Sequence, residues 1–247
     1  MRLALISFAL FAPLAWAQNC GHTDSELAQH YRQMMQYGGY GENDATRFEQ
    51  AYRAFSGSLK HTAAVKIGTC GFPLAQQAGI AVVHSPDRKI RAFSWNEQTG
   101  GSMHEFGNAV QFVGKNGQIG QVSLSLDRIE HIAQDTLPPH GTAYLFYDHG
   151  IAFGRLHGKS ASWWRISGSR FAETKLFATQ QPTHIISYEY EPHSHTKLPE
   201  NFRHFVYDSK KQTLSFPVVR NTQEYEFGEL TKRRIVYRYQ NGRFVRQ

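Results

Sequence analysis

Apolar residues recur at two different periods along this chain, and the switch between them predicts its architecture. Leu27, Tyr31, Met34 and Met35 fall at three- and four-residue spacing, the period of one helix face. Thr23 and Glu26 form a capping box at the expected start of that helix, and Gly38-Gly39 is its expected end. After Asn43-Asp44 a second stripe follows, Phe48, Tyr52, Phe55 and Leu59. The two read as a helical hairpin with one shared apolar face.

From about Gly79 the period falls to two, as in strands. Ile80 to Val83 reads as a buried strand, Ser85-Pro86-Asp87-Arg88 as a turn, and Ile90 to Trp95 as a strand with Arg91, Phe93 and Trp95 on one face. Val110–Val113 and Ile119–Leu126 flank a Lys115-Asn116-Gly117 turn. Further strands are expected at 143–147, 151–156, 162–166, 184–190, 203–207, 213–218, 234–239 and 243–245. Asn241-Gly242, between the last two, is a strong hairpin signal. Short strands without intervening helices predict an α+β chain, mainly β, with an N-terminal helical hairpin and an antiparallel sandwich or a curved open sheet or barrel. The expected divisions are a leader at 1–17, a helical region at 18–78 and a β region at 79–247.

The leader changes the setting. Met1 to Ala17 carries one arginine, an apolar run to about Leu14 and the small-x-small triplet Ala15-Trp16-Ala17. This order is that of a secretory signal peptide cleaved after Ala17, and the run falls short of the roughly 20 apolar residues a membrane span requires. The expected location is periplasmic or secreted, with no transmembrane segment after cleavage. In that setting Cys20 and Cys70, the two cysteines of the chain, read as a disulfide. It would close a loop of about 50 residues and add roughly 4 kcal/mol. Lipidation of Cys20 would require small residues directly before it, where Gln18-Asn19 stand.

The Ser85-Pro86-Asp87-x-Lys89-Ile90-Arg91 turn and strand runs into Phe93-Ser94-Trp95, Gly100-Gly101-x-Met103-His104 and a strand around Gln111. With the terminal Tyr237-x-Tyr239-x-Asn241-Gly242-x-Phe244, this layout resembles a group of exported Gram-negative bacterial proteins of unknown function. The resemblance implies export and β architecture over 79–247, and no activity.

Candidate chemistry is sparse. Of thirteen histidines, His193 and His195 stand two apart, where an extended segment points both side chains the same way. With His204 or Glu191 they could hold a transition metal. His104-Glu105 opens like a zinc-protease motif, but Asn108 stands where its second histidine belongs. Asp127-Arg128-Ile129-Glu130-His131 collects two carboxylates and an imidazole within five residues, and on a helical turn Asp127 and His131 would be neighbours, a possible acid/base pair. Serine-hydrolase and phosphate-loop motifs are absent, and no cofactor is expected.

Charge adds one lead. The formal net charge is +7, and removal of Arg2 with the leader takes 7 − 1 to +6. Lys232, Arg233, Arg234, Arg238, Arg243 and Arg246 place six cations and no acid in the last sixteen residues. Such a strip suits an anionic envelope component or an acidic protein, or else protects a sheet edge. An exported protein has little nucleic acid to meet. The expectation is an exported, non-catalytic β-rich binding protein, with a periplasmic hydrolase, metal-assisted through His193, His195 and His204, as the alternative.

Overall fold

The computed structural model describes residues 12–38, 44–98 and 103–247, and the side chains of all these except 12–19 and 195–197. Most of the leader, Gly39, Asn43 and the Gly100-Gly101 pair therefore lie outside the described residues.

Helix α1 (Ala12–Tyr37) and helix α2 (Ala45–His61) form the expected hairpin. Leu27, Tyr31, Met34, Phe55 and Leu59 are buried together, with Phe48 and Tyr52 at the margin. Asp44 caps α2 by accepting the Arg47 amide at 3.1 Å. The capping box at Thr23 does not start α1, because the helix already runs from Ala12 and Thr23 is buried inside it. Its neighbour Asp24 does the capping elsewhere. Asp24 accepts the amides of Leu74 and Ala75 at 2.9 and 2.8 Å, first-turn donors of the short helix α3 (Pro73–Gln77) that would otherwise lack partners. Cys20 and Cys70 are joined in a disulfide, fixing α1 to the segment before α3.

Three antiparallel meanders follow. Sheet 1 has the order β1 (Ala81–His84), β2 (Ile90–Asn96), β3 (Phe106–Val113), β4 (Ile119–Val122). Sheet 2 has the order β5 (Arg128–Leu137), β6 (Gly141–Phe153), β7 (Leu156–Ser167), β8 (Arg170–Glu173), and β9 (Ile185–Tyr190) also pairs with β7. Sheet 3 has the order β10 (Val206–Asp208), β11 (Thr213–Arg220), β12 (Glu229–Gln240), β13 (Arg243–Arg246). None closes into a barrel. Ile80 to Val83 is not a fully buried strand, because β1 is a half-buried edge. The strands expected at 143–147 and 151–156 are one long strand, β6, ending at Phe153. Residues 127–131 are not helical but enter β5, so Asp127 and His131 are not one-turn neighbours. Asn241 and Gly242 turn with φ of 49° and 81°, the left-handed pair a tight hairpin requires.

The layers stack in chain order. Phe93, Trp95 and Ala109 of sheet 1 pack on the helices. Its other face, with Ile90, Ala92, Val110 and Phe112, meets Ile132, Tyr144, Phe146 and Trp164 of sheet 2. The reverse face of sheet 2, with Ala143, Leu145, Ala161 and Trp163, meets Leu214, Phe216, Tyr237 and Phe244 of sheet 3. Alternation along β6 thus serves two cores, each large side chain contributing about 1.5–3 kcal/mol on burial. Sheet 2 is the shared wall. No described helix is long and apolar enough to cross a membrane.

Candidate functional site

On the sheet-3 side of sheet 2 the apolar face gives way to polar residues. Leu145 and Tyr147 of β6 are followed on the same face by His149, and Ala161 of β7 by Lys159 and His157. Register carries this face to Tyr188 and Tyr190 of β9, which pair with Lys159 and His157. On β5, a bulge between Ile129 and His131 makes Glu130 the extra residue. Glu130 meets Lys159 while His131 stacks on Tyr147 at 5.5 Å, so two consecutive residues serve one face. Re-aiming a side chain is a common use of bulges. The segment from Phe202 to Tyr207 covers this face and leaves a cleft of about 400 Å³.

Hydrogen bonding ties the floor together. Lys159, 8% exposed, donates to Glu130 Oε2 at 2.6 Å. His149 Nδ1 lies 3.4 Å from Glu130 Oε1, and its Nε2 lies 3.0 Å from His157 Nδ1. Burial alone would raise Glu130, but hydrogen bonds from His149 and Lys159, with their charge, outweigh it and pull the carboxyl down to about 2. Glu130 is therefore an anion at neutral pH, already matched by Lys159.

The wall is aromatic. Tyr147 stacks on Phe205 at 5.5 Å with the rings 2° from parallel. Its hydroxyl is buried and makes no hydrogen bond within the protein, and burial drives its pKa above the ordinary tyrosine value. Tyr188 OH lies 2.7 Å from His204 Nδ1, and Tyr190 OH 3.5 Å from His204 Nε2. Burial raises both tyrosines, Tyr190 to about 12. Both hydroxyls therefore keep their protons at neutral pH, and the donor in each contact is set by the His204 tautomer.

Arg234 holds the cover in place. Its guanidinium donates to Arg203 O at 2.9 Å, His204 O at 3.0 Å, and Ser215 O and Oγ at 2.8 and 3.0 Å. Arg203 itself is exposed at the rim, and no carboxylate pairs with it among the described residues. Its charge reaches inward. Burial first and Arg203 second hold His131 below the ordinary histidine value.

The residues expected from sequence are scattered. His204 lines the cleft, with its ring nitrogens facing Tyr188 and Tyr190. His193 is exposed on the turn Pro192–Lys197, and the side chain of His195 lies outside the described residues. Glu191 is engaged elsewhere, accepting Phe227 N–H at 3.1 Å and Arg155 at 3.2 Å. Among the described residues no group of three His, Cys, Asp or Glu could hold a metal. The basic strip is not one surface either. Arg238 pairs with Val245 on the face away from the core, whereas Arg246 stands opposite the buried Tyr237. Lys232, Arg233 and Arg243 are exposed, and Arg234 is the member that contacts the cleft's cover.

Sequence reasoning missed Tyr147, His149, His157 and Lys159, and noted Glu130 only as a second carboxylate of the 127–131 cluster. A signal was present: on strands otherwise apolar in alternation, 143-145-147-149 and 163-161-159-157 both turn polar at one end. Neither protein-family models nor curated proteins include a match to this chain, so its own residues carry the functional reading.

Proposed function

We propose that this is an exported, non-catalytic binding protein that seats a carboxylate-bearing envelope component, saccharide or protein, in the cleft under Phe202–Tyr207. Export rests on the leader pattern of residues 1–17 and agrees with the Cys20–Cys70 disulfide. One observation carries the ligand charge. Glu130, the carboxylate lining the cleft, is neutralised by Lys159 at 2.6 Å, which leaves Arg203 as an unmatched cation at the rim. A guanidinium receives a carboxylate through two parallel hydrogen bonds.

Two ionisable groups of the site, Glu130 and Tyr190, are tuned away from proton transfer. A general acid or base works best with a pKa near ambient pH. Glu130 at about 2 and Tyr190 at about 12 lie far from it.

Fluorescence titration of the mature protein with oligogalacturonate and with an acidic peptide tests the reading. Saturable binding that weakens about tenfold in Arg203→Ala, or about 1.4 kcal/mol, and falls with salt is expected. Binding of neither probe, binding indifferent to Arg203, or turnover on a hydrolase substrate panel overturns it.

A further inference from the structure

The structure assigns a second site, for a phosphate monoester, to the opposite side of sheet 2. Four hairpin turns of sheets 1 and 2 meet at one end of the stack: those before Lys89, around Lys115, before His140 and at Gly168. Two of them are joined directly, and the Asp87 turn is tied to the strands of sheet 2. Lys115 N–H donates to Gly168 O at 2.9 Å, Tyr144 OH to Asp87 Oδ2 at 2.9 Å, and Asp87 N–H to Gln134 Oε1 at 3.1 Å. Between them lies a crevice of about 530 Å³. Val113, Tyr144 and Ile166 supply its apolar surface and Lys89 and Lys115 its cationic one, while His140, also in the lining, lies with Nε2 3.0 Å from Gly242 O. Tyr144 and Ile166 face sheet 1, so this crevice and the cleft beside Tyr147 lie on opposite faces of β6.

Charge and shape choose the ligand. No carboxylate lines the crevice. Asp87, beneath it, already accepts Ser85 Oγ at 2.7 Å, Lys89 N–H at 3.1 Å and the Tyr144 hydroxyl at 2.9 Å. The Lys89 ammonium stands 4.0 Å away, at the limit of an ion pair. Lys115 has no carboxylate partner among the described residues. Two ammonium groups act as point charges rather than planar forks. They suit a compact dianion, and a phosphate monoester carries close to two negative charges at neutral pH. The cleft's guanidinium suits a flat carboxylate instead. A bare phosphate would leave much of the volume open, so the monoester brings an organic group to lie on Val113, Tyr144 and Ile166.

Calorimetric titration of the mature protein with phenyl phosphate, inorganic phosphate and benzoate tests this assignment. Phenyl phosphate is expected to bind at least tenfold more tightly than either. Lys89→Met/Lys115→Met, both on exposed side chains, should lose at least tenfold with an unchanged unfolding midpoint, whereas Arg203→Ala should bind normally. Sedimentation with vesicles containing phosphatidic acid identifies the source of the phosphate. Sedimentation abolished by the double variant places the ester on a lipid; no sedimentation with phenyl phosphate binding intact makes it a soluble metabolite. No saturable phenyl phosphate binding by about 10 mM, equal binding of benzoate, or full binding by the double variant overturns the assignment.

Discussion

Arg91 and Lys159 are both cations buried on strands of this fold, and their surroundings treat them in opposite ways. Arg91, 0% exposed, lies between sheet 1 and the helices with no carboxylate beside it. It donates to Gln111 Oε1 at 2.5 and 3.0 Å, to Thr62 O at 2.7 Å and to Val65 O at 3.2 Å, and it packs over the rings of Phe72 and Phe93. Burial lowers it to about 10, still a cation at neutral pH. Lys159 instead faces an open cleft and a carboxylate that is 41% exposed. Neither charge stands alone, although Nη1 of Arg91 is buried without a hydrogen-bond partner. The difference is access: Arg91 is enclosed by neutral acceptors and rings, whereas the Lys159–Glu130 pair lines a cleft whose rim carries an unmatched Arg203. A buried charge by itself therefore says little about function; unmatched charge facing an opening says more.

If the helix side serves stability and the cleft side binding, variants should separate the two. The largest effect is expected from Cys20→Ser/Cys70→Ser. Opening a loop of 50 residues removes about 4 kcal/mol in the chain-entropy model, read as a lower urea midpoint, with anion affinity unchanged below the unfolding transition. Arg91→Met comes next, at about 3 kcal/mol, since it strands Gln111 and two carbonyl groups without a donor. A stable Arg91→Met protein, or one that stays folded and loses anion binding, would break the comparison.

Asp148 sharpens it, since this residue sits between Tyr147 and His149 on β6 but turns away from the cleft. Burial lifts its carboxyl to about 6, against the Ser160 hydroxyl that donates to it and with added repulsion from Asp127. A carboxyl whose pKa is higher folded than unfolded binds more protons in the native state, so stability falls as pH rises from about 4 to 6 and stays lower above. Asp148→Asn removes that loss. Its gain over the parent, on the order of 2 kcal/mol, should appear at pH 7.5 and vanish near pH 3.5, with anion binding unaltered. Equal gains at both values would show that ionisation is not the cause.

These variants also mark what sequence could and could not reveal. The helical stripe at Phe48, Tyr52, Phe55 and Leu59 and the Asn241-Gly242 turn were legible because each is a local pattern with a local physical cause. The cysteine pair was legible once the leader fixed the compartment. Arg91 was legible only as a residue sharing a face with Phe93, because its partners Thr62 and Gln111 lie 29 and 20 positions away. The site was hidden for a similar reason. Glu130 enters it through a bulge that period-two reading cannot anticipate, and there it meets Lys159, a residue 29 positions on. The clusters that stood out, at 193–195 and 232–246, are dense in sequence and dispersed in space.

The smallest expected effect tests the charge balance of the cleft directly. Glu130→Gln keeps the size and one acceptor of the side chain but removes the negative charge that Lys159 now matches. Glu130 is 41% exposed, which screens its side of the pair, but Lys159 is 8% exposed, so the variant also loses some stability by leaving a largely buried cation with only the amide oxygen as acceptor. The freed Lys159 charge should instead join Arg203 and tighten carboxylate binding about threefold, or roughly 0.6 kcal/mol. In the parent protein, with Glu130 at about 2, the ion pair persists down through pH 4, so this route gives no rise in affinity between pH 7 and 5. Weaker binding by Glu130→Gln would mean that Glu130 itself contacts the ligand as an acceptor, and the cleft would then have to be read as a site for a hydroxyl or a cation rather than a carboxylate.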